Sequence, residues 1–469
     1  MGSQRCHIYD KEANVRGSCT TKVVPLYPEV GYVEMDPDAI FEGFITVVKR
    51  SLQMRQIDDR RAADLVKSWN RCCTMKVSLL LQKRALAASL IVFSTQHVTF
   101  RLVWALTHYK QVRQAVAEGN CCFGTVDTWL LFKLTKGQVH ATDYSNAEFN
   151  RNFRLLSGLM CWSGFLSFLV SLPLSIFPKV ENTNHDFGST DPSIFGESIP
   201  IMSVMADQQA AMFGECCFDV GDVKITMGTG TFMDINTGSQ PHMPVAGLYP
   251  LVGWKIGSEV VYLAEGNAAD TGTAIKWAQD SSLNVQETSD MAYSVSDSDG
   301  VCFVPSFSGL QVDPCASLMG LKPSTTKSHL VRAILESVAF SNKQLYETIL
   351  RETSIPITKI RVDGGVSSND FVMQMTADLF GRKVARPQHY EMSSLGAAFV
   401  AGLGIGMQGR AEEAGRAPTN RSRPKEHPRA ALAARVGNTS RASRDWERAL
   451  RRSMNWYQAL TRMHTTRRS

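Results

Sequence analysis

The stretch from Val204 to Gly238 constrains this chain most, because it combines one acidic residue with a glycine-threonine loop. Asp207 follows a short apolar approach and precedes small residues that begin a helix. The loop, Gly228-Thr229-Gly230-Thr231, lies between two runs in which apolar and polar residues alternate, as in half-buried strands. Its glycines let backbone N–H groups approach an anion, and its threonines add hydroxyl donors. An acid beside such a loop is the minimum needed to move a phosphoryl group onto an alcohol.

Each part of this stretch also has a common structural explanation. A Gly-Thr-Gly-Thr sequence forms an ordinary hairpin turn more often than a phosphate loop, by roughly 3:1 without context. A single aspartate at the start of a helix is usually an N-cap or a first-turn acid. Taken one at a time, the two parts therefore leave both interpretations open.

The order of residues across the whole stretch resembles that of the FGGY carbohydrate kinases, and among them the glycerol kinases. In that family a catalytic Asp-Gln-Gln-Ala-Ala segment precedes a Gly-Thr-Gly-x-Phe phosphate hairpin that ends in Asn-Thr-Gly. Here these segments are Asp207–Ala211, Gly228–Phe232 and Asn236–Gly238. The resemblance covers about residues 5–405 and the last helix, with internal gaps and with its motifs in the family's order.

The resemblance implies an α/β protein with the two-domain actin-like ATPase (ribonuclease H-like) fold. Each domain would hold a mixed five-stranded sheet flanked by helices, with the ligand cleft between the domains. We expect the N-terminal domain over residues 1–220 and the C-terminal domain over residues 221–405. A disordered Arg/Ala/Pro-rich linker would follow at 406–442, and a C-terminal helix and tail at 443–469.

The implied activity is that of a phosphotransferase with an alcohol acceptor. It would use ATP and Mg²⁺ to phosphorylate a small polyol, with glycerol converted to glycerol 3-phosphate. The resemblance makes Asp207 the catalytic base, and Asp207, Gln208 and Phe232 the polyol contacts. The nucleotide contacts that it implies are Gly228, Thr229, Gly230, Gly272, Lys276, Gly365 and Asn369. No side chain is assigned to a metal, because Mg²⁺ would bridge phosphate oxygens.

A second glycine-rich turn, Asp363-Gly364-Gly365, lies between a predicted strand at Ile360–Val362 and a predicted helix. Such a turn into a helix N-terminus can be purely structural. In the FGGY family it contacts adenosine, with residues at the positions of Gly365 and Asn369.

Two helix starts can be placed from capping residues. Asp36 followed by Pro37 is typical of an N-cap and a first helical position, so a helix is predicted to begin there. Ser367 and Asp370 match a capping box for the helix after the second glycine turn.

The chain departs from the family pattern in two places. The first phosphate loop, of the type Asp-x-Gly-Thr-x-x-x-Arg, is absent ahead of Arg5, and its acid acts near the metal in the family. A Gln-Arg pair that contacts the polyol in the family is absent between Ser51 and Arg61. We therefore expect weakened turnover. The alternative is a non-catalytic, kinase-like protein that binds nucleotide or protein partners.

Composition bounds the partners and the compartment. The chain has 469 residues and a net charge of +6, with its arginines concentrated over residues 408–469, so the charge does not indicate nucleic acid. The 11 cysteines show no Cys-x-x-Cys spacing, which indicates reduced thiols and a cytoplasmic protein.

The uncharged run Leu155–Pro178 could span a bilayer by length, but Pro173 divides it and we expect no membrane span. The oligomeric state stays open, with a homo-oligomer among the alternatives.

Overall fold

The computed structural model describes residues 3–10, 14–26, 35–53, 98–147, 162, 172–242, 247–280, 285–307, 316–387, 391–406, 425–426 and 432–454. The strands are β1 (Ser3–Tyr9), β2 (Val15–Lys22), β3 (Ala141–Asp143), β4 (Lys179–Glu181), β5 (Val223–Met227), β6 (Thr231–Gly238), β7 (Tyr249–Ile256), β8 (Glu259–Ala268), β9 (Cys302–Val304), β10 (Ser317–Met319), β11 (Ile360–Asp363), β12 (Ala385–Arg386) and β13 (Lys425–Glu426). The helices are α1 (Pro37–Gln53), α2 (Val98–His108), α3 (Lys110–Ala117), α4 (Val126–Leu134), α5 (Tyr144–Ala147), α6 (Pro192–Phe195), α7 (Asp207–Gly214), α8 (Thr271–Asp280), α9 (Val285–Tyr293), α10 (Lys327–Thr353), α11 (Asp370–Phe380), α12 (Met392–Gly404) and α13 (Leu432–Ser453).

A seven-stranded mixed sheet organises the C-terminal part of the chain, in the order β13-β12-β11-β5-β6-β8-β7. Strand β5 pairs parallel with β11 and antiparallel with β6. The expected sheet had five strands, and the two further strands are the edge pair β12 and β13. Each of these spans two residues, which is too short for an alternating pattern to be read from sequence.

The two faces of this sheet differ in chemistry. One face carries the apolar side chains of β5, β6 and β11, which form a buried core with α10 and α11. Paired positions on the other face hold Lys224 opposite Asp234, Asp234 opposite Glu265, and Thr226 opposite Asp363. Lys224 and Asp234 are both wholly buried, so the expectation of a half-buried β5 is wrong. Helix α7 covers this face, and buried partners replace water around the charges.

Helices α7 and α12 cross with their backbones in contact at two glycines. A Cβ placed on Gly396 of α12 would lie 1.8 Å from the carbonyl oxygen of Ala210. A Cβ on Gly214, the last residue of α7, would lie 2.3 Å from the carbonyl oxygen of Met392. Only glycine permits this approach, which fixes α7 between α12 and the polar face of the sheet.

The N-terminal part contains smaller sheets within the described residues. Strands β1 and β2 form an antiparallel pair, and β3 pairs parallel with β4. The described residues of this part therefore contain two-stranded sheets and not the five-stranded sheet expected from the resemblance. The place at which the Gln-Arg strand of the family is expected to be missing lies within 54–97, outside the described residues. Strand β1 reaches α12 through Ser394, whose hydroxyl lies 2.7 Å from Tyr9 Oη and 2.9 Å from His7 Nδ1.

One of the two predicted caps is confirmed and the other is wrong. Asp36 Oδ1 accepts from the N–H groups of Asp38 and Ala39, at the start of α1. Ser367 instead lies within a 3₁₀ turn over Gly365–Ser368, and its hydroxyl donates to the carbonyl of Gly364. Asn369 caps α11, with Oδ1 accepting from the N–H of Val372 at 3.0 Å. The extra 3₁₀ turn moves the helix start past the residue that the sequence pattern selects.

The C-terminal helix begins earlier than predicted, because α13 starts at Leu432 and not at 443. Trp446 anchors it, with Nε1 donating to the carbonyl of Phe303 at 2.7 Å. Most of Leu155–Pro178 lies outside the described residues. Among the helices that the structure describes, none is both long and apolar enough to cross a membrane.

Candidate active site

Asp207 is the first residue of α7 and is half-buried. Ala206 before it is extended and provides no side-chain cap, and Asp207 Oδ1 accepts from the N–H of Gln208 at 2.9 Å. The carboxylate therefore lies at the positive end of the helix dipole. The structure thus places Asp207 as a first-turn acid, a position that is compatible with either a structural or a catalytic role.

A buried carboxylate holds the segment that leads into α7. The N–H of Ala206 donates to Ser145 Oγ at 2.9 Å, and Ser145 Oγ donates to Asp143 Oδ2 at 2.8 Å. Thr183 Oγ1 also donates to Asp143, at 3.0 Å. Burial raises the pKa of Asp143 to about 6, although hydrogen bonds from Ser145 and Asn146 act in the opposite direction. The segment Asp143–Ala147 continues the resemblance to the family, but sequence reasoning assigned no role to Asp143 or Ser145.

The glycine-threonine loop is the tip of the hairpin that joins β5 and β6. The N–H of Gly228 donates to the carbonyl of Gly230 at 2.9 Å, and Thr229 is exposed at the tip. A Cβ on Gly228 would meet only the carbonyl oxygen of Gly230, at 3.9 Å, so one side of the loop is open. The hairpin turn and the phosphate loop are thus compatible interpretations of the same residues.

The hairpin tip rests on the N-terminus of α8. The N–H groups of Gly272 and Thr273 both donate to the carbonyl of Thr229, at 2.9 and 3.3 Å. A Cβ on Gly272 would lie 2.4 Å from the carbonyl oxygen of Gly228. The N–H of Gly272 therefore bonds to the loop in this structure. Lys276, one turn further along α8, is exposed.

The second glycine turn lies against the start of the hairpin. Gly364 has a φ of +87°, and a Cβ on it would lie 2.5 Å from the carbonyl oxygen of Met227, the residue before Gly228. Gly365 is exposed, and a Cβ on it would meet no atom within 4 Å. The two glycine turns are thus neighbours, and Gly365 faces open space.

The three other predicted site residues are buried or half-buried, and two of them bond to other side chains of the protein. Asn369 is buried, and its Nδ2 donates to Thr288 Oγ1 at 3.2 Å while its Oδ1 caps α11. Gln208 is buried, and its side-chain oxygen accepts from Lys224. Phe232 is half-buried on β6, opposite Thr226.

Lys224 connects these parts. Its Nζ lies 2.7 Å from Asp234 Oδ2 and donates to Gln208 Oε1 and to Thr226 Oγ1, at 2.5 and 3.0 Å. Thr226 in turn donates to Asp363 Oδ1 at 2.5 Å. Burial disfavours the charge on Lys224, but the carboxylates of Asp234 and Asp363 outweigh it and raise its pKa.

Burial also raises the pKa values of the other carboxyl groups around Lys224. Burial raises the pKa of Asp363 to about 6. Burial, followed by the charge of Asp363, raises the pKa of Glu215 to about 8. Burial and the charge of Asp234 raise the pKa of Glu265 well above its usual range. The carboxyl groups thus need not all be charged at once, which lowers the electrostatic cost of the cluster.

A cavity of about 240 Å³ lies apart from these turns, between α9, α10, α11 and α13. Arg332, Glu336 and Phe371 are among its lining residues, and none of the predicted site residues lines it. The cavity therefore does not mark the candidate active site, which we describe by the hydrogen bonds and glycine contacts given above.

Two family models match the chain. The model for the N-terminal domain of the FGGY family of carbohydrate kinases matches residues 56–214. The model for the C-terminal domain of the same family matches residues 223–405. The second match begins at the first residue of β5 and includes both glycine turns.

Curated relatives match over nearly the whole chain. A Danio rerio protein named Glycerol kinase 5 is 60% identical, over 97% of this chain and 95% of its own length. The Homo sapiens protein of the same name is 50% identical, over 97% and 94%. Glycerol kinase 2 of Thermotoga maritima is 34% identical, over 86% and 88%.

Solved structures share the fold. Plasmodium falciparum glycerol kinase with ADP superposes with a TM-score of 0.81 at 24% identity, over 96% of each chain. Xylulose kinase from Rhodospirillum rubrum gives 0.75 at 20% identity, over 98% of this chain and 97% of its own. At these identities the likeness concerns the fold alone.

Proposed function

Because the chain belongs to the FGGY family of carbohydrate kinases, we propose that it uses ATP to convert glycerol to glycerol 3-phosphate. Membership brings with it the actin-like fold and a phosphotransferase activity. The choice of glycerol rests on the relatives named as glycerol kinases. We place the activity in the cytoplasm, since every cysteine that the structure describes is a free thiol.

One observation carries this proposal: three elements with complementary chemistry meet around β5. Lys224 bonds to Gln208, the neighbour of Asp207, and Thr226 bonds to Asp363 at the second glycine turn. The strand then runs directly into the phosphate hairpin at Gly228. One strand thus connects the acid with the two glycine turns to which we assign the phosphates and the nucleotide, and such a connection supports phosphoryl transfer in a fixed geometry.

The residues would divide the work as follows. Asp207 accepts the proton of the attacking hydroxyl, while Gln208 and Phe232 hold the polyol. The backbone of Gly228, Thr229 and Gly230, together with the hydroxyl of Thr229, binds the phosphates. Gly272, Lys276, Gly365 and Asn369 hold the rest of the nucleotide.

The open sides of Gly228 and Gly365 fit a nucleotide, since each leaves room for a ligand to reach the backbone. When bound, ATP supplies the phosphoryl group and Mg²⁺ neutralises its developing charge. In the described part of the chain, no cluster of three or more His, Cys, Asp or Glu side chains is arranged for a metal ion. We propose that Mg²⁺ would bind together with the nucleotide, mainly through phosphate oxygens.

A second candidate is a kinase-like protein that binds nucleotide or protein partners without turnover. Four of the predicted contacts favour it, because they already bond within the protein: the N–H groups of Gly228 and Gly272 and the side chains of Asn369 and Gln208. For turnover, these groups would have to bind ligands in addition to their present partners, or break the bonds to those partners.

The decisive experiment measures ADP release from Mg-ATP with and without glycerol, together with detection of glycerol 3-phosphate. We expect ADP release to depend on glycerol and to equal the glycerol 3-phosphate formed. Xylulose and gluconate serve as competing acceptors. Binding of Mg-ADP without any acceptor-dependent ADP release would replace the kinase proposal with the second candidate.

Gly365→Arg tests the nucleotide turn. Because Gly365 faces open space, the new side chain should fill the path of the nucleotide without disturbing the fold. We expect the affinity for Mg-ADP, measured by calorimetry, to fall by about a hundredfold or more, which corresponds to about 3 kcal/mol. Ser368→Arg, at an exposed position on the same turn, adds the same charge and serves as the control. Unchanged affinity in Gly365→Arg would remove Gly365 from the site.

A further inference from the structure

Lys224 has no role in the proposed reaction, yet its buried side chain bonds to residues of three different elements near the site. It is 0% exposed, as is its ion-pair partner Asp234. An ammonium group has three protons, and here four oxygens surround it: those of Asp234, Thr226 and Gln208, the last contributing both its amide and its carbonyl oxygen. Burying a charge is costly unless partners compensate it. Here the four oxygens around the ammonium group of Lys224 provide that compensation.

The contacts of Lys224 reach in two directions. Towards α7, Nζ donates to Gln208 Oε1 at 2.5 Å and to the Gln208 carbonyl at 3.3 Å. This carbonyl is in the first turn of the helix and next to Asp207. Towards the second glycine turn, Nζ donates to Thr226, which donates to Asp363, the residue before Gly364.

We propose that Lys224 is a positioning residue whose ammonium group holds the first turn of α7, and with it the Asp207 carboxylate, in register with the glycine turn at Asp363–Gly365. The inference rests on the proposed role of Asp207 as the base. Lys224 does not touch a substrate in this arrangement. It aligns the acid with the nucleotide turn.

The alignment of α7 with the glycine turn depends on the charged ammonium group of Lys224. A neutral side chain of the same length would fill the space but could not donate to three residues at once. Asp234 keeps the lysine charged by pairing with it from the next strand, and Glu265 lies opposite Asp234 on β8. Removing Lys224 alone would strand the Asp234 charge in the interior, so a test must remove both charges together.

The first test is the double variant Lys224→Met/Asp234→Asn. We expect kcat for glycerol-dependent ADP release to fall about a hundredfold, the size associated with a displacement of about 1 Å at a reacting group. The Kd of Mg-ADP should stay within about threefold, because nucleotide binding alone does not need the register between the nucleotide turn and Asp207.

The matched control is Lys359→Met/Asp222→Asn. This pair also joins a lysine to a wholly buried aspartate, with 2.8 Å between Nζ and Oδ2. It lies at the opposite end of β5, just before Val223. We expect kcat within about threefold of the parent enzyme in this control. An equal loss of kcat in both double variants would show a general loss of sheet integrity and overturn the proposal.

A second measurement does not depend on the proposed reaction. Hydrogen exchange at the backbone amides of residues 208–211 reports how firmly the first turn of α7 is held. We expect about tenfold or greater acceleration in Lys224→Met/Asp234→Asn, and no acceleration in the control pair. Unchanged exchange would overturn the positioning role even if turnover fell. If the parent protein showed no glycerol-dependent turnover, the proposed function would fail while exchange still tested the hold on α7.

The variant Thr226→Val distinguishes the contact of Lys224 with α7 from its contact with the second glycine turn. It removes the hydroxyl that connects Lys224 to Asp363 and leaves the bonds to Gln208 in place. We expect kcat to fall about tenfold, with exchange in α7 unchanged. Full retention of kcat would remove the glycine turn from the proposal.

Discussion

Asp207→Asn is expected to lower glycerol-dependent ADP release by about 10²- to 10⁴-fold, the contribution typical of a general base. The substitution keeps the size of the side chain, and the amide oxygen can still accept from the N–H of Gln208. It removes the negative charge that would take the proton of the hydroxyl. Steady-state rates at saturating glycerol and Mg-ATP measure the effect on kcat.

The control for this prediction is Asp191→Asn in the same part of the chain. Asp191 caps α6 by accepting from the N–H of Ser193, at a distance from α7 in sequence and with no predicted contact to either substrate. Its rate should match that of the parent enzyme. If Asp207→Asn also kept the parent rate, Asp207 would be a first-turn acid of α7 and the base would have to be sought elsewhere.

Gly396→Ala is expected to lower the free energy of unfolding by about 3 kcal/mol or more. The added methyl would lie 1.8 Å from the carbonyl oxygen of Ala210 and 2.7 Å from the nitrogen of Gly214. Both are backbone atoms, so no side chain can move aside, and the helices α7 and α12 must separate. Overpacking of a tight contact typically costs about 1–3 kcal/mol, and a clash with backbone belongs at the upper end. Denaturant unfolding followed by circular dichroism measures the change.

Gly365→Ala is the matched control for this change, since it adds the same methyl group where no atom lies within 4 Å. Its unfolding midpoint should equal that of the parent protein. If the Gly396→Ala variant still folds, its rate of glycerol-dependent ADP release should also fall, because the displaced helix α7 carries Asp207. An unchanged midpoint in Gly396→Ala would mean that α7 and α12 can separate without loss, and that their contact does not fix the acid.

Local signals in the sequence were sufficient for several elements. Asp36 with Pro37 placed the start of α1, because a cap bonds to N–H groups two and three residues away. The same locality placed the start of α7 at Asp207 and the hairpin tip at Gly228–Gly230. The order of the motifs identified the kinase family and its fold. The roles of the individual site residues stay predictions that the proposed variants test.

Other features depend on contacts between distant segments, and the sequence pattern misplaced them. Ser367 was selected as a cap, but it lies in a 3₁₀ turn, and Asn369 caps α11 instead. The alternation along β5 indicated a solvent-facing row of polar residues. The structure buries Lys224 in that row, because α7 covers it and Asp234 neutralises it.

What the sequence determined by itself was therefore the chemistry and the local geometry: an acid at a helix start, two glycine turns, and the strands that precede them. Only the tertiary structure decided that Lys224 would connect Gln208 to Thr226, and that Gly214 and Gly396 would bring two helix backbones together. Capping and alternation act within a few residues of the chain and leave a pattern in it. The burial of a charge or the close approach of two helices is set by which distant segments pack together, and that is determined only when the whole core forms.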